Sequence, residues 1–349
     1  MLHSIINARH VLVIKLRYIG DSIWMLPFVE NLKLNLPHAK LSVIVNKGTE
    51  PFFYTSPAVD AVIPFPRADI KGKPLGILRF FSFIKTIRGL KPDVVIELTE
   101  GDRAAIMSVL SGADIRIGYS NEKHWRQRFY THQISSKINT KHMVEYHLDL
   151  LKELGMKIFD DSIKIQIPEA AYLSLRRILP PDFYNNKKKK VLIHPGARNP
   201  LRQWGAEKFA YIGDALSEEC RVFLIAGPDE EGVLQEVKRT MKTTPAFCST
   251  SLNLYEFAAL CELSDLFIGN DSGPIHIAAA KTFTAGIYGP TLPELAGPWT
   301  NRKRIFEDKS FQCRPCKQDK CHYQSFKACL EAISPEDVIS KIKEILTGL

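Results

Sequence analysis

The sequence predicts an α/β protein made of two Rossmann-like units, on three observations. Short β-branched runs alternate with amphipathic stretches, the pattern of βα units around a parallel sheet. The alternation breaks at a polar, lysine-rich segment near residues 180–190 and then restarts. The 349 residues exceed the roughly 100 to 200 of one domain, so each half can bury its own core. Residues 1–180 and 181–349 are therefore expected as the two domains.

In the first half, residues 10–16, 41–45, 61–65, 93–98 and 115–118 read as strands. Residues 22–36, 75–89 and 103–111 read as the helices between them, with Pro37 and Gly89 as stops. Residues 142–155 carry helical apolar spacing. Pro180, Pro181 and the four lysines 187–190 have no periodicity and read as a hinge. Beyond it, residues 191–194, 220–226, 246–248, 266–269 and 284–288 read as five further strands. The last helix is expected in the second domain or packed back on the first. Two such sheets meeting at a hinge would place a cleft between their carboxyl edges, where open α/β proteins hold ligands.

An apolar fraction of 45% and a charged fraction of 24% fit a globular chain and exclude a disordered or collagen-like one. The formal charge is +9, and +8 of it falls in residues 1–180. Such a field favours a polyanionic partner, whether nucleic acid, an anionic membrane surface or a phosphorylated substrate. No helix-turn-helix, zinc-finger or RNP signature supports nucleic acid. No apolar run approaches the ~20 residues of a membrane span, and residues 1–13 lack a leader-like apolar region, so a cytoplasmic protein is expected. Seven cysteines, four of them at Cys313, Cys316, Cys321 and Cys329, should then be reduced thiols or ligands of a structural metal. Dinucleotide-binding, P-loop, zincin and nucleophile-elbow motifs are all missing.

Three constellations remain. In the first, strand residues end at Lys15 and run through Arg17 and Gly20 to Asp21, which is either a helix cap or a base at the sheet edge. The second, Asn270-Asp271-Ser272-Gly273-Pro274-Ile-His276, follows a hydrophobic strand and opens an alanine-rich helix. The N–H groups of Ser272 and Gly273 would suit a phosphate there. In the third, His194-Pro-Gly196-Ala-Arg198 leads to Arg202 and Trp204, so that guanidinium groups reach the edge of the second sheet. Glu230 and Glu231 follow the next strand and could cap a helix or hold sugar hydroxyls.

Taken in chain order, these segments resemble glycosyltransferase family 9, the ADP-heptose:lipopolysaccharide heptosyltransferases. The resemblance runs from Val11 to Pro27, through His194 to Trp204 and Gly227 to Glu230, to Asn270 through His276. Residues 97–100 and 119–145 further resemble the branch that adds the third core heptose. It implies a GT-B fold, an inverting reaction with Asp21 as base, ADP-heptose as donor and no required cofactor or metal. It places the donor at His194, Gly196, Arg198, Arg202, Glu230, Asp271, Ser272, Gly273 and His276. Glu231 remains open as the alternative to Glu230. Acceptor contacts are expected from Arg17 and Gly20 beside Asp21, and from Lys123, Arg126 and Arg128 in an aromatic-rich loop. The acceptor would be a phosphorylated glycolipid at the inner membrane face, with the enzyme cytoplasmic and peripheral to that membrane. Transfer from another nucleotide-sugar, or to another acceptor, is the alternative.

Overall fold

A computed structural model describes residues 5–120, 124–135 and 140–349. The chain divides into two compact units, Met1–Gln166 and Ile167–Leu349. In chain order the first contains β1 (His10–Lys15), α1 (Ile19–Trp24), α2 (Leu26–Asn35), β2 (Lys40–Asn46), α3 (Pro51–Tyr54), β3 (Ala61–Phe65), α4 (Arg67–Ile70), α5 (Gly76–Gly89), β4 (Val94–Glu97), α6 (Asp102–Leu110), β5 (Ile115–Tyr119), α7 (His124–Gln127), β6 (His132–Ile134) and α8 (Met143–Glu153). The second contains α9 (Glu169–Ile178), β7 (Lys190–His194), α10 (Ala206–Ser217), β8 (Arg221–Ile225), α11 (Glu231–Thr240), β9 (Phe247–Ser249), α12 (Leu254–Glu262), β10 (Leu266–Asn270), α13 (Gly273–Ala279), β11 (Phe283–Ile287), α14 (Pro293–Ala296), β12 (Lys303–Phe306), α15 (Ala328–Glu331) and α16 (Pro335–Gly348). Short 3₁₀ turns at Pro200–Arg202 and Pro228–Glu230 follow β7 and β8.

Each unit holds one parallel six-stranded sheet, in the orders β3-β2-β1-β4-β5-β6 and β12-β11-β10-β7-β8-β9. Counted within its own unit, the second sheet repeats the order of the first. Both therefore reverse direction between their first and fourth strands, the place where such sheets open a crevice. The central strands are buried from end to end, as β1 is over HVLVIK, because helices cover both faces of a parallel sheet. On one face of the first sheet Leu12, Ile14, Val95 and Phe65 pack with Ile84 and Ile87 of α5. In the second, Val191, Ile193, Leu224 and Ile268 pack with Trp204, Phe209 and Ile212.

Several expectations are corrected. The single helix over residues 22–36 is two, broken at Met25, because Pro27 sits in the first turn of α2 and has no N–H to continue the ladder. The first of these starts at Ile19, with Tyr18 as its N-cap, so Asp21 lies inside the helix. The boundary falls at residue 166 instead of 180. Residues 180–190 look like a linker but belong to the second unit: Phe183 is buried against Phe223, and Asp182 pairs with Arg221 at 2.6 Å. The edge strands β6 and β12 lack a distinct run of apolar residues and escape the sequence reading. The last helix, α16, buries Val338, Ile342 and Leu346 in the second core beside Phe209 and Ile212. Among the described residues, no helix is long and apolar enough to cross a membrane.

Candidate active site

In the first unit the loop leaving β1 is locked from both sides. Leu16 N–H donates to Thr99 Oγ1 at 2.8 Å, and Asn46 Nδ2 donates to Arg17 O at 2.8 Å. Arg17 turns its Nε and Nη2 onto Thr99 O, at 3.0 and 2.8 Å. The residues after β4 are tied just as firmly. Buried Glu97 accepts from the N–H groups of Thr99 at 2.7 Å and Glu100 at 3.1 Å, and from Tyr130 Oη at 2.9 Å. Burial pushes the Glu97 carboxyl up, and these three donors oppose the push. The result is a rigid rim at the switch point, with Asp21 half-buried one helical turn beyond it.

Beneath that rim lies a buried polar chain. Lys15 Nζ donates to Leu98 O at 2.8 Å and sits 3.1 Å from His147 Nε2, whose Nδ1 is 3.3 Å from Tyr119 Oη. Burial pushes the Lys15 ammonium down, opposed first by the charge of Asp21. Burial and the neighbouring Lys15 hold His147 far below the usual histidine range, so its ring is neutral. The neutral ring accepts from Lys15 through Nε2 and carries its proton on Nδ1.

A groove of about 420 Å³ opens above this rim, lined by Arg17, Tyr18, Asn46, Arg67, Glu100 and Arg103 among others. Arg67 stacks over Tyr18 at 6.0 Å and Arg103 over Phe65 at 5.5 Å. Burial and the Arg67 charge both lower the Arg103 pKa. No carboxylate pairs with Arg17, Arg67 or Arg103 among the described residues. Guanidinium groups crowded in this way suit an anion.

Sequence reasoning missed Arg67, Arg103, Thr99 and Lys15. A lysine closing a wholly apolar strand was the available signal for the last. Of the expected acceptor residues, Arg17 and Arg126 line this groove, and buried Gly20 lies in the first turn of α1. Arg126 is 6% exposed, donating Nη1 to Glu100 O at 2.6 Å and pairing with Asp102 at 3.1 Å, so it builds the rim and is no exposed loop cation. Arg128 is exposed, and Lys123 lies outside the described residues.

The second unit repeats the plan at the ends of β7 and β10. Asn270 donates Nδ2 to Pro195 O at 2.7 Å and accepts from Trp204 N–H at 3.1 Å, joining the two loops. Glu230 Oε2 accepts from Gly227 N–H at 2.8 Å and lies 3.4 Å from His194 Nε2. Its carboxylate rests on Gly196 so closely that a Cβ there would come within 2.2 Å. Only glycine allows that approach. Burial pushes buried His194 below its ordinary value against the pull of Glu230. Glu231, the alternative carboxylate, is exposed and occupied by Thr250 at 2.7 Å and Gln235 at 2.6 Å.

Arg202 Nη1 pairs with Asp271 Oδ2 at 2.9 Å, and Thr291 Oγ1 donates to the same oxygen at 2.7 Å. Burial pushes the Asp271 carboxyl up, and Arg202 opposes it. Ser272 caps α13 with Gly273 as its first residue, and the Ser272 hydroxyl is buried with no partner. His276 is buried one turn on, while Arg198 is exposed.

The cysteine segment is remote in sequence from these loops but not in space. Gln318 Oε1 accepts from Arg202 Nε at 2.6 Å, Arg314 Nη2 donates to Thr291 O at 2.8 Å, and Lys327 Nζ donates to Gln203 O at 2.9 Å. Cys313, Cys316, Cys321 and Cys329 border one small hollow of about 140 Å³ with His322. Among the described residues no three His, Cys, Asp or Glu side chains gather closely enough to hold a metal ion, and the four cysteines are free thiols. Burial pushes the Cys329 thiol up, and the segment serves as a brace.

A family model described as Glycosyltransferase family 9 (heptosyltransferase) matches residues 80–327. Lipopolysaccharide heptosyltransferase 3 of Escherichia coli K12 is 30% identical over 344 residues, covering 95% of this chain and 96% of that protein. Lipooligosaccharide heptosyltransferase 2 of Campylobacter jejuni is 31% identical, over 48% of this chain and 54% of its own length. Among solved structures, a family 9 glycosyl transferase from Veillonella parvula superposes with a TM-score of 0.82 at 23% identity, covering 98% of each chain. Escherichia coli heptosyltransferase WaaC with ADP gives 0.74 at 19% identity over 96% and 99% of the two chains.

Proposed function

The chain belongs to glycosyltransferase family 9, and from that premise we propose that it transfers a heptose from ADP-heptose to the inner core of lipopolysaccharide, in the manner of a third-heptose transferase. The observation that carries the donor half is the second switch point, where Arg202, the unpartnered Ser272 hydroxyl and the start of α13 share one strand edge with Glu230 over Gly196. Arg202 and the helix N–H groups would take up the charge that grows on the departing diphosphate. Glu230, held by Gly227 N–H with one oxygen, has a second for a ribose or sugar hydroxyl.

In the first unit Asp21 accepts the proton of the acceptor hydroxyl as that oxygen attacks the anomeric carbon from the face opposite ADP, inverting the configuration. Residues 1–166 are thus the acceptor unit and residues 167–349 the donor unit. The acceptor's phosphate and acidic sugar groups are met by Arg17, Arg67 and Arg103, with Arg126 shaping the rim. The enzyme works in the cytoplasm against the inner membrane, where its glycolipid is held. No metal takes part.

Mass spectrometry of the product after incubation with ADP-heptose and truncated core acceptors, with and without EDTA, tests the whole proposal. One heptose added per acceptor at the same rate in EDTA is the expected result. No transfer from ADP-heptose, beside transfer from another nucleotide-sugar, would overturn the donor assignment.

A further inference from the structure

Helix α5 hides one face and leaves another bare. Ile84 and Ile87 are buried, and Phe80 and Phe83 pack against the cluster beneath the first sheet. In contrast Ile77, Leu78 and Phe81, with Leu75 just ahead of the helix, are 67%, 63%, 55% and 57% exposed. Positions 77, 81, 85 and 88 fall on one helical stripe, so the bare apolar residues of the first turns run into Lys85 and Arg88. From Lys71 to Lys91 the chain carries six cations and no carboxylate. An apolar hollow lined by Ile70, Gly76, Ile77, Phe80 and Ile106 also touches Arg103, and so joins this face to the arginine groove.

We propose that this face docks on an anionic lipid bilayer. Leu75, Ile77, Leu78 and Phe81 enter the boundary between headgroups and acyl chains, while Lys73, Lys85 and Arg88 sit at the level of the lipid phosphates. Contiguous large apolar side chains are rarely left in water without a purpose. Charge decides what covers them. A second copy would oppose the patch to itself across a two-fold axis and bring the same cations face to face. A negatively charged leaflet satisfies the apolar tips and the cations together. This deepens the proposed reaction by naming the surface that meets the membrane. It rests on that reading only for the purpose of the contact, since the acceptor is taken to be a glycolipid.

Co-sedimentation of the full chain with phosphatidylcholine vesicles, with and without about 30% phosphatidylglycerol, tests it. The wild type is expected to bind the mixed vesicles and to be released by salt. Ile77→Ser/Leu78→Ser/Phe81→Ser should lower the partition coefficient at least about tenfold. Lys73→Gln/Lys85→Gln/Arg88→Gln should erase the preference for anionic lipid. All six positions are exposed, and turnover on a lipid-free saccharide acceptor should be unchanged in both variants. The vesicles hold no acceptor, so failure of this proposal leaves the reaction standing, and failure of the reaction leaves the vesicle result standing. Serine variants that bind as the wild type does, a wild type that ignores the mixed vesicles, or a native dimer that the serine variant dissociates would each overturn it.

Discussion

Asp21 carries the heaviest demand of any single residue. Its carboxylate lies 3.4 Å from Tyr18 N–H, a long contact that leaves it available for another proton donor. Asp21→Asn keeps the shape and loses the base, so kcat should fall at least ~10² while ADP affinity holds. Turnover near that of the wild type would return Asp21 to a capping role. The buried histidines make a second prediction. Because burial lowers the folded-state pKa of His147 and His194, the unfolded chain binds more protons once the pH drops through about 6.5. Stability on this account is complete above that pH and declines below it, by about 1.4 kcal/mol per pH unit for each histidine that stays neutral. Thermal denaturation between pH 7 and 5 should show the decline, and His147→Gln should make it shallower. An equally steep curve in the variant would remove His147 as a source. In the sequence Asp21, Glu230 and Asp271 could be picked out because each follows a strand and a turn. The contact of Lys15 with His147 could not, because only tertiary packing joins residues so far apart in the chain.

At the scale of elements, strands were the legible part. Ten of the twelve stand out as apolar runs, and the two that do not, β6 and β12, lie at sheet edges where one neighbour suffices. Caps and breaks were harder to see. Pro27 signals the split between α1 and α2, yet apolar spacing runs across it. The brace after β12 was the least visible, since nothing in its composition reports that Gln318 reaches back to Arg202. That contact can be tested by itself. Gln318→Ala removes one hydrogen bond to a charged group, on the order of 1.5 kcal/mol, and should raise the Kd for ADP by about tenfold without affecting acceptor binding. Titration calorimetry showing no change would mean that Asp271 alone positions Arg202.

Over the whole molecule, charge and chain order matter more than any one bond. With +7 of the +9 in residues 1–166, acceptor and donor recognition should respond differently to salt. Arg17→Gln/Arg103→Gln should raise KM for a phosphorylated acceptor by at least about tenfold, as should added salt, and leave KM for ADP-heptose within about twofold. Equal effects on both substrates would mean the arginine groove is not an acceptor site. Arg126 is a poor choice for this test, because removing it strands Asp102 and Glu100. The two sheets exchange no strand, and each draws on one uninterrupted stretch of chain. A ribosome delivering the chain from its N-terminus therefore releases everything the first sheet needs before the second has begun. The second must wait, since Val338, Ile342 and Leu346 of α16 are 0%, 0% and 9% exposed in its core. Residues 1–166 alone should unfold cooperatively in a calorimeter, whereas removing residues 335–349 from the full chain should abolish the second unit's transition and spare the first. On a stalled ribosome, protease resistance should accordingly appear in two steps, the later one only after the last helix has left the exit tunnel.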